Sequence, residues 1–335
     1  MTEPISSLLW TQPGWLAQMR AWILAELERR HILVHGPIEQ PHVRPWSTVL
    51  RVPTSAGDLY GKAVMPALSH EAALTGALAR WRPDCMVQPV AIDVERGWLL
   101  LPDAGATLRS LIESPEDLWR WHRLLPVYAE VQIEMSARCG KLLSLGTLDR
   151  RLTTLPAQYE RLLSDTAALR VDQPDGLTSD EYRRLRDLAL RLPAMCGALA
   201  SYGIPETLHH DDFHDANIFV RDERLVFADW AESCVSHPFF TPMVMLRSIG
   251  YRLKLDAHGP ELLRLREIYL EPWTRYGSRE DLLGAFELAQ PLAMLCRALT
   301  WYRVVSGLDE PFKTEYAEVV PGWLQEFLNA ATTAG

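Results

Sequence analysis

Close to residue 103 the apolar residues change from the period of a strand to that of a helix, and this change limits the fold more than any other feature. Before it, short runs such as PIEQPHV, STVLRV, LYGKAVM, VQPVAID and WLLL are separated by turn residues. TSAGD and VERG lie between successive runs, which makes them hairpins. Pro37 and Pro41 place the first run at a sheet edge. A helix opens this region, and a second, SHEAALTGALARW, interrupts it, with Ser69 as its cap and Ala73, Leu74, Ala77, Leu78 and Trp81 along one side. After PDAGAT the pattern is helical. Ser114 caps a helix with Pro115 at its first position, Thr178 and Glu181 form a capping box ahead of Leu185, Leu188 and Leu192, and everything from Phe239 onward has helical spacing. The expectation is an α+β, bilobal chain: a small antiparallel-sheet lobe over residues 1–103 and a larger, mostly helical lobe over 104–335. A length of 335 residues suits two such bodies.

One segment of the helical half is not helical. In LHHDDFHDANIFVRDERLVFADW, residues 208–230, the apolar runs NIFV and RLVFAD flank RDE and read as a hairpin. With the turn between Asp222 and Glu223, Asn217 falls opposite Ala228, so Asn217 and Asp229 emerge at the same open end. An amide oxygen and a carboxylate suit Mg²⁺, which keeps waters and takes phosphate oxygens as further ligands. Asp212, five residues before Asn217, is close enough to orient a hydroxyl beside the metal. Asp222 and Glu223 read as turn residues, and His209, Asp211 and Asp215 as solvated loop residues.

Written as His210-Asp211-Asp212-Phe213-His214-Asp215-Ala216-Asn217, then Ala228-Asp229-Trp230, the segment resembles the aminoglycoside phosphotransferase and choline kinase-like enzymes. These relatives of the protein kinases commonly carry H-G-D-L-H-x-x-N followed by I-D-W, and the Asp-to-Asn step equals that of the kinase catalytic loop. The resemblance implies a protein-kinase-like fold, with Asp212 as the catalytic aspartate and Asn217 and Asp229 holding Mg²⁺ on the nucleotide phosphates. His210 would brace the loop, and His214 would support Asp212 or line the site. It also calls for a lysine on the third strand paired with a helix glutamate. Lys62, the only lysine before residue 141, and Glu71 stand in those places. LLLPDAG would be the hinge, whose backbone around Leu100 to Asp103, Leu101 and Asp103 above all, meets the base. Two departures stand out. The kinase G-x-G-x-x-G loop is replaced by RPWSTV, where Ser47 and Thr48 would supply donors to phosphate. In SHPFFT, His237 and Thr241 replace the acids of G-D-P-x-x-D.

The implied activity is transfer of the terminal phosphoryl group of ATP or GTP to a hydroxyl of an amino-sugar, amino-alcohol or related metabolite. Glu232, Asp309, Glu310 and Glu315 are acids that would meet an ammonium group, although each also reads as an exposed charge. Trp301 and Tyr302 would stack on an acceptor or fill the core. The tail LNAATTAG has no acidic or aromatic residue to clamp an aminoglycoside. Two rivals are a metal-dependent phosphohydrolase, from the His-Asp clustering, and a non-catalytic nucleotide-binding regulator. The formal charge of −9 argues against a nucleic-acid partner and is compatible with a cationic acceptor. The five cysteines are far apart with no C-x-x-C pair, which indicates neither a zinc site nor a disulfide framework. MTEPISSLLWTQPGW lacks a basic n-region before an apolar core, and LAQPLAMLCRALTWY is too short and interrupted to span a bilayer, so a cytoplasmic protein without a membrane partner is expected. Acceptor identity, nucleotide choice and oligomeric state leave no trace in the sequence.

Overall fold

The computed structural model describes residues 8–333; residues 1–7, part of the opening stretch read above, and 334–335, the end of the tail, lie outside the described residues. The chain begins with α1 (Pro13–Arg29), β1 (Glu39–Val43), β2 (Ser47–Thr54), β3 (Gly57–Val64), α2 (His70–Trp81), β4 (Ala91–Asp93) and β5 (Trp98–Pro102). Then come β6 (Ala106–Thr107), α3 (Trp119–Ser136), α4 (Cys139–Ser144), β7 (Leu148–Asp149), α5 (Leu155–Ser164), α6 (Thr166–Leu169), α7 (Ser179–Ala200) and β8 (Thr207–His209). The hairpin β9 (Ile218–Arg221) and β10 (Arg224–Phe227) is followed by β11 (Cys234–Ser236), α8 (Thr241–Leu253), α9 (Pro260–Leu270), α10 (Arg279–Ser306), α11 (Phe312–Glu315) and α12 (Val319–Thr333). By their contacts these form two compact units. One comprises Met1–Gly105, Phe219–Ala231 and Val304–Glu315; the other comprises Ala106–Ile218, Glu232–Arg303 and Tyr316–Gly335.

In the first unit, five antiparallel strands lie in the order β1-β2-β3-β5-β4, with β1 at the edge that its prolines anticipate. Met19, Ile23 and Leu27 of α1 pack on Leu50, Val52, Leu59, Ala63 and Trp98, so one face of the sheet is closed by the leading helix. Gly61 lets the helix come close: a Cβ there would stand 2.7 Å from Ile23 Cδ1 and 3.1 Å from Met19 Cε. Because successive strand residues point to opposite faces, this burial turns Lys62 to the other face of the sheet. The tip of the β9–β10 hairpin is a two-residue turn with Asp222 at φ 49° and Glu223 at φ 63°, the left-handed pair that matches strand twist, as their reading as turn residues requires.

The second unit is helical around a three-stranded sheet in the order β7-β11-β8. Both anticipated caps form: Ser114 with Asp117 ahead of α3, and Thr178 with Glu181 at the start of α7. Ser69, by contrast, gives α2 no side-chain cap; its hydroxyl donates to the Pro66 carbonyl. The late apolar stretch belongs to α10, which at 28 residues is long and apolar enough to cross a membrane by length and composition, yet 67% of that window is buried inside the chain. A core helix meets the same test.

Candidate functional site

In the first unit, Lys62 Nζ donates to Glu71 Oε1 at 2.6 Å and to Asp229 Oδ1 at 2.8 Å. Three residues far apart in the chain thus meet at one ammonium group. Strand β3 supplies the lysine and the first turn of α2 supplies the glutamate. Burial disfavours the charged lysine, but Asp229 and Glu71 outweigh it and raise its proton affinity. Burial also pushes Glu71 upward, opposed by Lys62. The two acids differ in access: the Glu71 side chain is 3% exposed and that of Asp229 46%. Asp229 has φ 62°, a left-handed conformation uncommon for a residue other than glycine and concentrated at functional positions. Glu71 is a buried anchor, and Asp229 is a carboxylate presented outward, a hard oxygen donor of the kind Mg²⁺ takes.

In the second unit, the segment after β8 is a tightly braced loop. Phe213 wedges it against α3, stacking on Tyr128 at 3.9 Å and meeting Trp121 edge-on. His210 is buried, and its Nδ1 accepts from the Asp212 amide at 3.3 Å. Asn217 donates through Nδ2 to the carbonyl and to Oδ2 of Asp212, at 2.9 and 3.1 Å, which leaves its amide oxygen as the atom to offer a cation. His214 Nε2 lies 3.2 Å from Asp212 Oδ2, while its Nδ1 accepts from the Ala216 amide, which fixes Nε2 as the proton-bearing nitrogen. Burial opposes the charged ring of His214, but the Asp212 carboxylate outweighs it and raises the proton affinity.

The strongest partner of Asp212 is a residue the sequence reading did not single out. Arg297, on α10, donates from Nη2 to Asp212 Oδ1 at 2.9 Å and from Nη1 to the Asp211 carbonyl at 2.9 Å and to the Glu232 carboxylate. Burial alone would raise the Asp212 carboxyl; the guanidinium, followed by His214, overrides it and holds the group well below the usual carboxylate range. Asp212 is therefore a permanent anion, suited to orient a hydroxyl rather than to compete strongly for its proton. A signal for Arg297 does exist in the sequence: it is the only charged residue between Glu287 and Arg303, and a lone charge in an apolar helix must find partners.

Several expectations require correction. His209, Asp211 and Asp215 are buried rather than solvated. His209 bonds Asp211 Oδ1 through Nε2 at 3.0 Å, and Asp215 is held between Arg109 and Arg252 at 2.8 and 2.9 Å. They form internal pairs, not the spread ligand set of a phosphohydrolase. The Thr48 hydroxyl faces inward, donating to the His42 carbonyl and accepting from Gln40, so it is not on hand for phosphate. Ser47, also buried, lies 3.4 Å from His42 Nε2. Leu101 pairs with Tyr60 in the sheet, whereas both backbone groups of Asp103 are engaged, by the Asp58 carbonyl and by Arg221. Glu232 pairs with Arg297 instead of offering an open anionic site. Asp309, Glu310 and Glu315 are exposed. Trp301 stacks with Tyr316 at 6.4 Å, and Tyr302 donates to Asp165 at 2.8 Å. His237 and Thr241, the departures from the acidic pattern, are both buried; Thr241 Oγ1 lies 2.8 Å from His209 Nδ1 and so braces the loop without charge.

No protein-family model and no curated protein sequence matches the chain. Solved structures do. The chain is similar to a macrolide 2′-phosphotransferase type I at 13% identity and TM-score 0.58, covering 93% of this chain and 97% of that one. An ethanolamine kinase from Plasmodium vivax aligns at 12% identity and TM-score 0.60, covering 95% and 88%. An aminoglycoside phosphotransferase from Streptomyces rimosus, solved with ADP and streptomycin, aligns at 16% identity and TM-score 0.51, covering 84% and 98%. At these identities the likeness is one of fold, and it extends over nearly the whole chain.

Proposed function

With the α+β fold of the kinase-like phosphotransferases as premise, we propose that this protein is a small-molecule kinase, transferring the terminal phosphoryl group of ATP or GTP to an alcohol. The observation that carries this reading is the Lys62–Glu71–Asp229 cluster, because a strand lysine held by a helix glutamate and bonded to an outward aspartate is the apparatus for gripping phosphates. In this reading Lys62 binds the nucleotide phosphates and Glu71 positions it. Asp229 and the amide oxygen of Asn217 are the ligands for Mg²⁺, which when bound neutralises charge on those phosphates. Residues 1–103 form the nucleotide lobe, which the segment carrying Asp229 joins, and the rest of 104–335 the acceptor lobe.

Asp212 accepts the acceptor hydroxyl on a lone pair left by Arg297, His214 and Asn217 and aims its oxygen for in-line attack. Since little covalent chemistry falls to the protein, this aim and the positive charge around the phosphates carry the catalysis. The proton leaves the hydroxyl late, toward Asp212 Oδ1, which accepts only from Arg297 while Oδ2 accepts from His214 and Asn217. The acceptor class is an amino-sugar, amino-alcohol or related metabolite, and the setting is the cytoplasm. The test is transfer from MgATP and MgGTP to a panel of such alcohols, with Asp212→Asn run alongside. Transfer to one class, lost in the variant, supports the kinase and names its acceptor. Nucleotide binding without transfer to any acceptor or to water points to a regulator.

A further inference from the structure

We propose that His209, Cys234 and Cys296 form a binding site for a thiophilic divalent cation, Zn²⁺ above all, separate from the Mg²⁺ ligands. One donor atom from each lies within 4.8 Å of the other two, and all three side chains are buried. The two sulfurs are 3.9 Å apart. Two Zn–S bonds of about 2.3 Å opened to the tetrahedral angle span about 3.8 Å, so the sulfurs already stand at the separation such a site requires. The backbone makes the placement natural. Cys234 and His209 are directly opposed on the antiparallel pair β11 and β8, which puts their side chains on one face. Cys296 is supplied by α10.

The histidine is also oriented as a ligand should be. Its Nε2 lies 3.0 Å from Asp211 Oδ1 and its Nδ1 2.8 Å from Thr241 Oγ1, so whichever nitrogen takes the ion, the other has a fixed partner. Asp211 stands behind the imidazole, with Oδ1 on His209 Nε2 and its buried Oδ2 3.7 Å from Arg297 Nη1, which leaves a fourth position to water or an exogenous ligand. Two thiolates and an imidazole form a soft donor set that prefers Zn²⁺ to Mg²⁺, and the thiolates balance its charge in a buried place. Widely spaced ligands escape any motif, which is why the cysteine spacing in the sequence indicates no zinc site.

The site would act on the catalytic loop by neighbourhood. Asp212 follows His209 by three residues, Arg297 follows Cys296 directly, and Glu232 precedes Cys234 by two. An ion here joins the three segments that build the Arg297 ion-pair network, a structural role that fixes Asp212.

The test uses the full chain expressed with zinc, desalted, and measured for metal content and, after cobalt exchange, for absorption. The expected result is about one zinc per chain and a thiolate-to-cobalt charge-transfer band, which an all-oxygen Mg²⁺ site cannot give. Cys234→Ser and Cys296→Ser should each lose both signals, while Cys139→Ser keeps them. Folded wild-type protein with less than about a tenth of an equivalent after zinc loading and no such band would overturn the proposal, as would undiminished zinc in both variants. The wild-type readings stand even if a variant does not fold. A protein with the cobalt band but no phosphoryl transfer would keep this site and sink the kinase reading.

Discussion

Arg297→Met tests whether α10 sets the charge state of Asp212. The guanidinium is 8% exposed and lies 2.9 Å from Asp212 Oδ1. At an effective dielectric near 20, two unit charges about 4 Å apart interact by about 4 kcal/mol. Methionine keeps much of the apolar stem beside Trp301 and deletes that interaction. Burial is then opposed only by the weaker pull of His214 and His210, so the Asp212 carboxyl should rise. The sign follows directly. In the wild type the lowered carboxyl stays ionised throughout the weakly acidic range, and kcat/KM has no acid limb from Asp212. In the variant the group protonates on the way down, and an acid limb appears. The assay is kcat/KM for phosphoryl transfer against pH, or slow MgATP hydrolysis if no acceptor is in hand. Stability reports independently: Asp211, Asp212 and Glu232 lose their shared cation, at a cost of about 3–5 kcal/mol. Adding Glu232→Gln should recover part of that, as a double-mutant cycle would show. An unmoved pH profile with stability within about 1 kcal/mol of wild type would refute the idea that Arg297 governs Asp212.

Asp212→Asn should lower transfer by about 10²–10⁴-fold while nucleotide binding, read by calorimetry, persists; equal loss of both would count against its role. The same variant removes the carboxylate that raises His214, so the imidazole titration followed by NMR should move to lower pH. Lys62→Met should lower kcat/KM by about 10²-fold or more, and Lys62→Met with Glu71→Gln should regain stability without activity. Asp229→Asn should abolish Mg²⁺-dependent nucleotide binding, and unchanged binding would contradict the ligand role. Asp215→Ala removes a buried carboxylate shared by Arg109 and Arg252, both part-exposed, and should cost about 1.5–3 kcal/mol in chemical denaturation, where a solvated loop residue would stay within about 0.5 kcal/mol.

What could be read from the sequence was whatever the backbone period and local spacing determine. Strand alternation marked the sheet and its edge, and the Ser114 cap with Pro115 and the Thr178–Glu181 capping box marked the starts of the α3 region and α7, because these depend on residues within a turn of one another. Lys62 and Glu71 could be paired because the resemblance calls for a strand lysine with a helix glutamate and no other lysine precedes residue 141. The misses share one cause. His209, Asp211 and Asp215 look like loop residues since they stand in a run of polar and charged neighbours; their partners Thr241, Arg297, Arg109 and Arg252 come from distant elements. Buried charge needs a counter-charge, and the counter-charges here lie 37 to 106 residues away, for Arg252 and Arg109 from Asp215. The loop signature therefore singles out the aspartate for the proposed chemistry but not what holds it ionised. That second property is supplied by a helix whose only visible mark is one arginine in an apolar run. It follows that a search for further site residues in this chain is best aimed at isolated charges on its buried helices, since each must be answered by a partner somewhere in the fold.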